Sequence, residues 1–251
     1  MPLAAPLPRA LSLALVALPP PHAIVRAAPP PAPAHAAPAQ ASVRRRPTRA
    51  PAQRKKAAVP GRPAEPTGPP AERAAALSRA GRHSEAAAAY MEAIRLQPDD
   101  AALYNNLGFA YAAQGKYAEA VEAYRQAVKL EPTLADAYYN LGNAYRELNQ
   151  TEQVAESYKL AVKHSKGLTE DWAFPALYGL GEVSGELGRW GDAVEAYRQA
   201  VTVRPKDPFA RFFLGEAYLK VGDRRAAEEE QRILKALDAD LAERLGQLIP
   251  R

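Results

Sequence analysis

The sequence predicts an all-α chain folded as an alpha-alpha superhelix of stacked helical hairpins, and three observations predict it. Leu-Gly pairs return every 34 residues, at Leu107-Gly108 and Leu141-Gly142, then after five extra residues at Leu180-Gly181, and 34 later at Leu214-Gly215. Tyr90, Tyr124, Tyr158 and Tyr197 keep the same interval and the same five-residue offset. Gly81, Gly115, Gly188 and Gly222 do likewise. A fixed period of this length marks a repeat architecture, in which each unit buries its apolar face only against its neighbours.

The elements follow from one unit, residues 101–134. Tyr104, Leu107, Gly108 and Tyr111 have the spacing of one helical face, and so do Ala120, Val121, Tyr124, Ala127 and Val128. Two helices are therefore expected. Gln114-Gly115-Lys116 separates them, with a glycine that can take the left-handed conformation ending the first, and Pro132 stops the second. Gly108, Ala120 and Ala127 stand where the two helices must approach closely, and Tyr104, Leu107, Tyr111 and Tyr124 fill the remaining space.

These positions resemble the tetratricopeptide repeat family, whose pattern runs aromatic, Leu-Gly, Tyr, Ala, Phe or Tyr, and a closing Pro. Residues 101–134 carry it throughout. Residues 135–168 carry Tyr138, Leu141, Gly142, Tyr145, Tyr158 and Ala161, with Val154 for the small residue and Lys166 for the proline. Residues 174–207 have Leu177, Leu180, Gly181, Ala193, Tyr197, Ala200 and Pro205, but Ser184 where tyrosine is expected. The end units are weaker. Residues 67–100 keep Ala74, Leu77, Gly81, Ala86, Tyr90, Ala93 and Pro98, and 208–241 have Gln231 in place of the second-helix aromatic. The resemblance implies a right-handed solenoid of five hairpins over 67–241 with a concave inner face.

Residues 169–173 read as an insertion between the third and fourth units. There Asp171 is expected to cap the next helix, with Pro175 in its first turn. Trp172 either plugs the widened joint or anchors a partner. Residues 242–251 read as a capping segment, with Leu241, Leu245, Leu248 and Ile249 covering the last hairpin.

The first 70 residues differ in kind. They hold 18 of the 24 prolines and ten Lys or Arg against Glu65 alone, a net charge of +9 that leaves −4 for residues 71–251. Such a composition buries too little apolar surface to offset ordering entropy, so residues 29–66 read as a disordered Pro/Ala/Arg-rich linker. Ala10 to Leu18 is an apolar run after Arg9, which suits the core of a signal peptide over 1–28 and is too short to span a bilayer. This implies a periplasmic or secreted protein; a cytoplasmic protein with a Pro/Ala-rich leader is the alternative. The chain has no cysteine, hence no disulfide framework and no lipid-modified N-terminal cysteine.

Arg44, Arg45, Arg46, Arg49, Arg54, Lys55 and Lys56 place seven positive charges in thirteen residues. Counterion release would let such a cluster hold an anionic polymer, a membrane surface or nucleic acid; the alternative is a solvated linker, since no aromatic residue interleaves the charges. Catalysis has no sequence support. His22, His35, His83 and His164 share no ligand spacing, and phosphate-cradling loops, nucleophile elbows and His-Glu-x-x-His are absent. Glu228, Glu229 and Glu230 read as a solvated helix face, and neither metal nor cofactor is expected.

Function is then expected on a surface. Removing the core positions from each first helix leaves a second face: Asn105, Asn106 and Phe109; Tyr139, Asn140, Asn143 and Arg146; Tyr178, Glu182 and Glu186; Phe212, Glu216 and Lys220. The resemblance places this face in the concave groove. Asparagine amides donate to and accept from an extended backbone without selecting its sequence, and aromatic faces receive side chains. Gly179 and Phe213 interrupt the asparagine ladder in the later units. With Asp136, Glu147, Glu182, Glu186 and Glu216 against Arg146 and Lys220, the face has a formal charge of −3 and should prefer neutral or basic segments of a protein or peptide partner. The family's clamp for C-terminal carboxylates draws Lys and Arg from several first helices, and Arg146 alone does not supply it. If Gly108 stands at a close helix contact, Gly108→Leu should lower stability by ~1–3 kcal/mol in denaturant unfolding.

Overall fold

The computed structural model describes residues 66–250. The expectations for the signal peptide at 1–28, the linker at 29–66 up to its last residue, and the basic cluster at 44–56 therefore lie outside the described residues. Eleven α-helices, and no strand, occur among the residues that are described. They pair along the chain: α1 (Pro70–Arg79) with α2 (His83–Leu96), α3 (Ala101–Ala112) with α4 (Tyr117–Leu130), and α5 (Ala135–Glu147) with α6 (Thr151–His164). Then come α7 (Ala173–Glu186) with α8 (Trp190–Val203) and α9 (Pro208–Lys220) with α10 (Arg224–Leu237), and α11 (Ala239–Leu248) closes the array. Each helix packs on the next, so the chain is a solenoid of five hairpins with a final helix.

Local chemistry sets the helix ends. Asp100, Asp207, Asp223 and Asp238 accept hydrogen bonds from backbone N–H groups at the starts of α3, α9, α10 and α11. Pro98, Pro132 and Pro205 lie two residues past the ends of α2, α4 and α8. The turn inside each hairpin needs a left-handed residue. Gly81, Gly115, Gly188 and Gly222 supply it at φ of +72°, +74°, +70° and +83°, and Asn149 takes the place in the third hairpin at φ 56°.

Between the two helices of a hairpin, the ring of the second lies on the backbone of the first. A Cβ built on Gly108 would come 2.6 Å from Tyr124 Cε1; on Gly142 and Gly181 it would come 2.6 Å from the rings of Tyr158 and Tyr197. These rings are sealed off from water, and burial pushes the Tyr124, Tyr158 and Tyr197 hydroxyls well above the usual phenol range. The first hairpin uses buried Ala74 in place of glycine. In the fifth, where Gln231 replaces the tyrosine, the final helix supplies the missing bulk. Leu245 of α11 sits on Gly215, 2.5 Å from a built Cβ, and the Gln231 amide donates to the Ala242 carbonyl at 3.2 Å.

The end of the chain departs in detail from the sequence expectation. The capping helix begins at Ala239 rather than at 242, because Asp238 caps it directly after α10. Leu241 and Leu245 are buried with Phe212 and Leu234, whereas Leu248, the last helical residue, is half exposed and Ile249 lies beyond the helix. Nor are the three glutamates all solvated. Glu228 pairs with Arg224 and Glu229 with Arg232, but Glu230 is buried and receives Arg211 Nη1 at 2.8 Å, tying α9 to α10. Burial raises the Glu230 carboxyl above the usual range, and the guanidinium opposes that shift.

The insertion is resolved by its tryptophan. Asp171 does not cap α7; Trp172 takes the N-cap position without a side-chain cap bond, and Pro175 falls in the first turn. The indole is drawn inward instead. Trp172 is 3% exposed, stacks on Tyr139 at 5.6 Å, and donates its Nε1–H to Asp136 Oδ1 at 2.6 Å. Tyr139 stacks in turn on Tyr158 at 5.9 Å. Trp172 therefore plugs the joint between the third and fourth hairpins and is unavailable as a surface anchor. Lys166 N–H donates to Glu170 Oε1 at 2.9 Å across the loop, and Leu168 holds a left-handed φ of 61° with its side chain against the core.

Two substitutions test this joint by urea denaturation. Trp172→Ala should cost ~3–5 kcal/mol, as for other buried aromatics. Trp172→Phe should cost ~1–3 kcal/mol, because the indole N–H bond to Asp136 is lost while the stack persists.

Candidate functional site

The first-helix face is built from α3, α5, α7 and α9, and its residues divide into a seam, where successive first helices touch, and an outer row. At the first seam Asn140 of α5 is only 4% exposed and donates from Nδ2 to Asn105 Oδ1 of α3 at 3.1 Å. The amide pair joins the second hairpin to the third, and Asn140 Oδ1 is left buried without a partner. At the second seam, Arg146 of α5 lies with its guanidinium 5.3 Å from the Tyr158 ring centroid and Nη2 at 3.7 Å from Glu182 Oε2 of α7. That separation exceeds a hydrogen bond, and Arg146 Nη2 is buried without an acceptor. At the third seam, Phe213 of α9 stacks on Tyr197 at 5.9 Å and meets Tyr178 edge-on at 5.8 Å.

Four residues expected on the open face are therefore inside the array. Tyr139, Asn140, Tyr178 and Phe212 are buried, each because the neighbouring unit covers it. Tyr139 is sandwiched by Trp172 and Tyr158, Asn140 is joined to Asn105, Tyr178 packs on Tyr197 and Phe213, and Phe212 lies under α11 with Arg244 5.1 Å from its ring centroid. Asp136 also leaves the face, since its carboxylate serves the Trp172 indole. The formal charge of the face becomes −2 in consequence.

Nine of the expected residues keep part of their surface: Asn105, Asn106, Phe109, Asn143, Arg146, Glu182, Glu186, Glu216 and Lys220. Asn106 forms no side-chain hydrogen bond among the described residues. Asn143 Oδ1 accepts from the Tyr158 hydroxyl at 2.6 Å, which orients its amide and leaves its N–H groups for another acceptor. Phe109 meets His83 of α2 edge-on at 6.1 Å. Equivalent positions in successive units run Phe109, Asn143, Glu182, Glu216, so the outer row passes from aromatic to amide to carboxylate along the array.

Gly179 has a role that the sequence reading missed. It looked like a gap in the asparagine ladder, but a Cβ there would collide with Arg146 Nη2 and lie 2.8 Å from Tyr158 Cε2. Its bare backbone is the space in which the guanidinium lies. An arginine 33 residues earlier, facing the same seam, was the available signal. Two buried hydroxyls, those of Tyr139 and Tyr178, also lack partners. Four orphaned polar atoms thus stand on α5 and α7. Among the described residues, no three His, Asp or Glu side chains converge as a metal site, and no helix is long and apolar enough to cross a membrane.

Comparison with known proteins agrees with this architecture. Family models described as "TPR repeat" match residues 76–115, 110–149 and 181–222, and one described as "Tetratricopeptide repeat" matches 135–164. Among solved structures, the crystal structure of MamA is 24% identical, covers 68% of this chain and 96% of its own, and has a TM-score of 0.56. YrrB, described as "a TPR protein with an unusual peptide-binding site", is 22% identical, covers 73% and 93% of the two chains, and has a TM-score of 0.59. At these identities the likeness is one of fold. No curated protein matches the chain. The period, the glycine-on-tyrosine contacts and the family matches agree: the chain belongs to the tetratricopeptide repeat family.

Proposed function

We propose that the chain is a non-enzymatic interaction scaffold whose first-helix face holds an extended, neutral or basic segment of a partner protein. The observation that carries this reading is the outer row of partly exposed polar side chains, Asn106 and Asn143 followed by Glu182 and Glu216. A peptide backbone offers the complement of the two amides, with N–H groups for an amide oxygen and carbonyls for the amide N–H groups. Glu182 and Glu216 bias the C-terminal half of the face toward lysine and arginine side chains. YrrB, a neighbour in fold, is described as peptide-binding, which is in keeping with this use of the architecture.

A partner helix laid along the face would meet the same outer row but could not pair its backbone, so the extended form is favoured. Export to the periplasm or beyond is part of the proposal, and sequencing the mature N-terminus from fractionated cells tests it: cleavage near residue 28 is expected, and an intact Met1 overturns it.

The groove itself is tested with the full chain against an array of immobilised extended peptides. Wild-type protein should retain lysine- and arginine-bearing peptides, with affinity falling several-fold as salt rises from about 0.05 to 0.3 M. Asn106→Ala combined with Glu216→Lys should weaken retention about tenfold at an unchanged melting temperature. Equal retention by both proteins overturns the groove reading.

A further inference from the structure

One joint of the array carries an opening where a repeated tyrosine is missing. The eleventh position of the unit is tyrosine in the second, third and fifth hairpins, as Tyr111, Tyr145 and Tyr218. In the third hairpin, Tyr145 packs with Val121, Leu141 and Ala144 across α4 and α5. The fourth hairpin has Ser184 at this position, and the counterparts of two of those neighbours, Ala155 and Leu180, line a cavity of about 200 Å³ instead. One water needs only ~10–15 Å³. Leu177, Val162 and Ala196 complete the apolar lining, so the missing ring has not been replaced by inward collapse.

Of the α7 residues that line the cavity, Ser184 is the polar one. Ser184 is 2% exposed and lines the space, and its hydroxyl makes no hydrogen bond among the described residues. The hydroxyl borders a space large enough for a partner to enter. Lys159 of α6 and Arg189 beside α8 line it together with Glu156, Asp192 and Glu195, and neither cation forms an ion pair among the described residues. None of the residues of the first-helix face lines this cavity, so it is a separate site between α6, α7 and α8.

We propose that this cavity receives a tyrosine side chain of a partner protein. The ring takes the volume that the unit's own tyrosine fills elsewhere, against Ala155, Leu180 and Ala196. Because it enters from outside rather than from α7, its hydroxyl leads and hydrogen-bonds the Ser184 hydroxyl. Lys159 and Arg189 then donate to backbone carbonyls of the partner segment.

The test uses the full chain with p-cresol as the tyrosine side chain and toluene as its counterpart without the hydroxyl, read by saturation-transfer NMR. Wild-type protein should bind p-cresol saturably in the millimolar range. Ser184→Tyr, which restores the unit's own ring, should abolish that binding; if this variant does not fold, Ser184→Leu supplies the same block. Ser184→Ala should weaken p-cresol about three- to tenfold and leave toluene unchanged. Absence of saturable p-cresol binding, or binding undiminished in the filled variant, overturns the site. Equal affinity for p-cresol in wild type and Ser184→Ala overturns the assignment of tyrosine as its occupant.

Discussion

A tyrosine ring resting on bare helix backbone is the contact from which the rest of the array follows. Where Gly108, Gly142 and Gly181 face Tyr124, Tyr158 and Tyr197, the distance between paired helices is set by the thickness of a ring, with no side chain on the first helix to hold them apart. The ring then fills the space that two bulkier partners would leave irregular. Once the pair is this close, the first helix has one face spent on its own hairpin and another turned to the neighbouring units. The residues available to a partner are those left over after both demands are met.

The seams between hairpins are not copies of one another. An amide pair joins α3 to α5, a guanidinium from α5 lies against Gly179 and Glu182 of α7, and a cluster of rings joins α7 to α9. The first and third use the fifth position of one unit and the sixth of the next, and the second fills its seam with an arginine from further along α5, so the fold tolerates a change of chemistry provided that the volume is filled. Arg146 is the clearest case. Its guanidinium lies on Tyr158 because Gly179 has no side chain, and a residue that looks like a break in a pattern is what admits the cation. The joint beside it carries the insertion, where the Trp172 stack lets a longer connection pack as tightly as a short one.

The hairpins were legible in the sequence because the period repeats their causes: a small residue and a tyrosine 16 residues apart, a left-handed residue between them, a proline after the second helix. The face was legible only in part. Subtracting core positions from a helix identifies what one hairpin does not bury, but it does not identify what the adjacent hairpin covers. Tyr139, Asn140, Tyr178 and Phe212 were misplaced for that reason, since their burial comes from residues 33 to 35 positions away or from α11. Asp136 illustrates the same limit. A carboxylate near the start of a helix reads as solvent-facing until an indole 36 residues later claims it. Asn106, Glu182 and Glu216 were easier, because no neighbouring unit buries them.

Leu245 standing in for the absent tyrosine has a consequence for how the array terminates. A repeat protein's last hairpin ordinarily exposes a surface shaped to receive one more of its kind, which is a route to head-to-tail polymerisation. Here the socket above Gly215 is occupied from within, by a helix whose own outer surface carries Asp240, Glu243 and Gln247. Losing those ten residues would uncover Phe212 and the glycine together, and would turn a soluble terminus into an adhesive one.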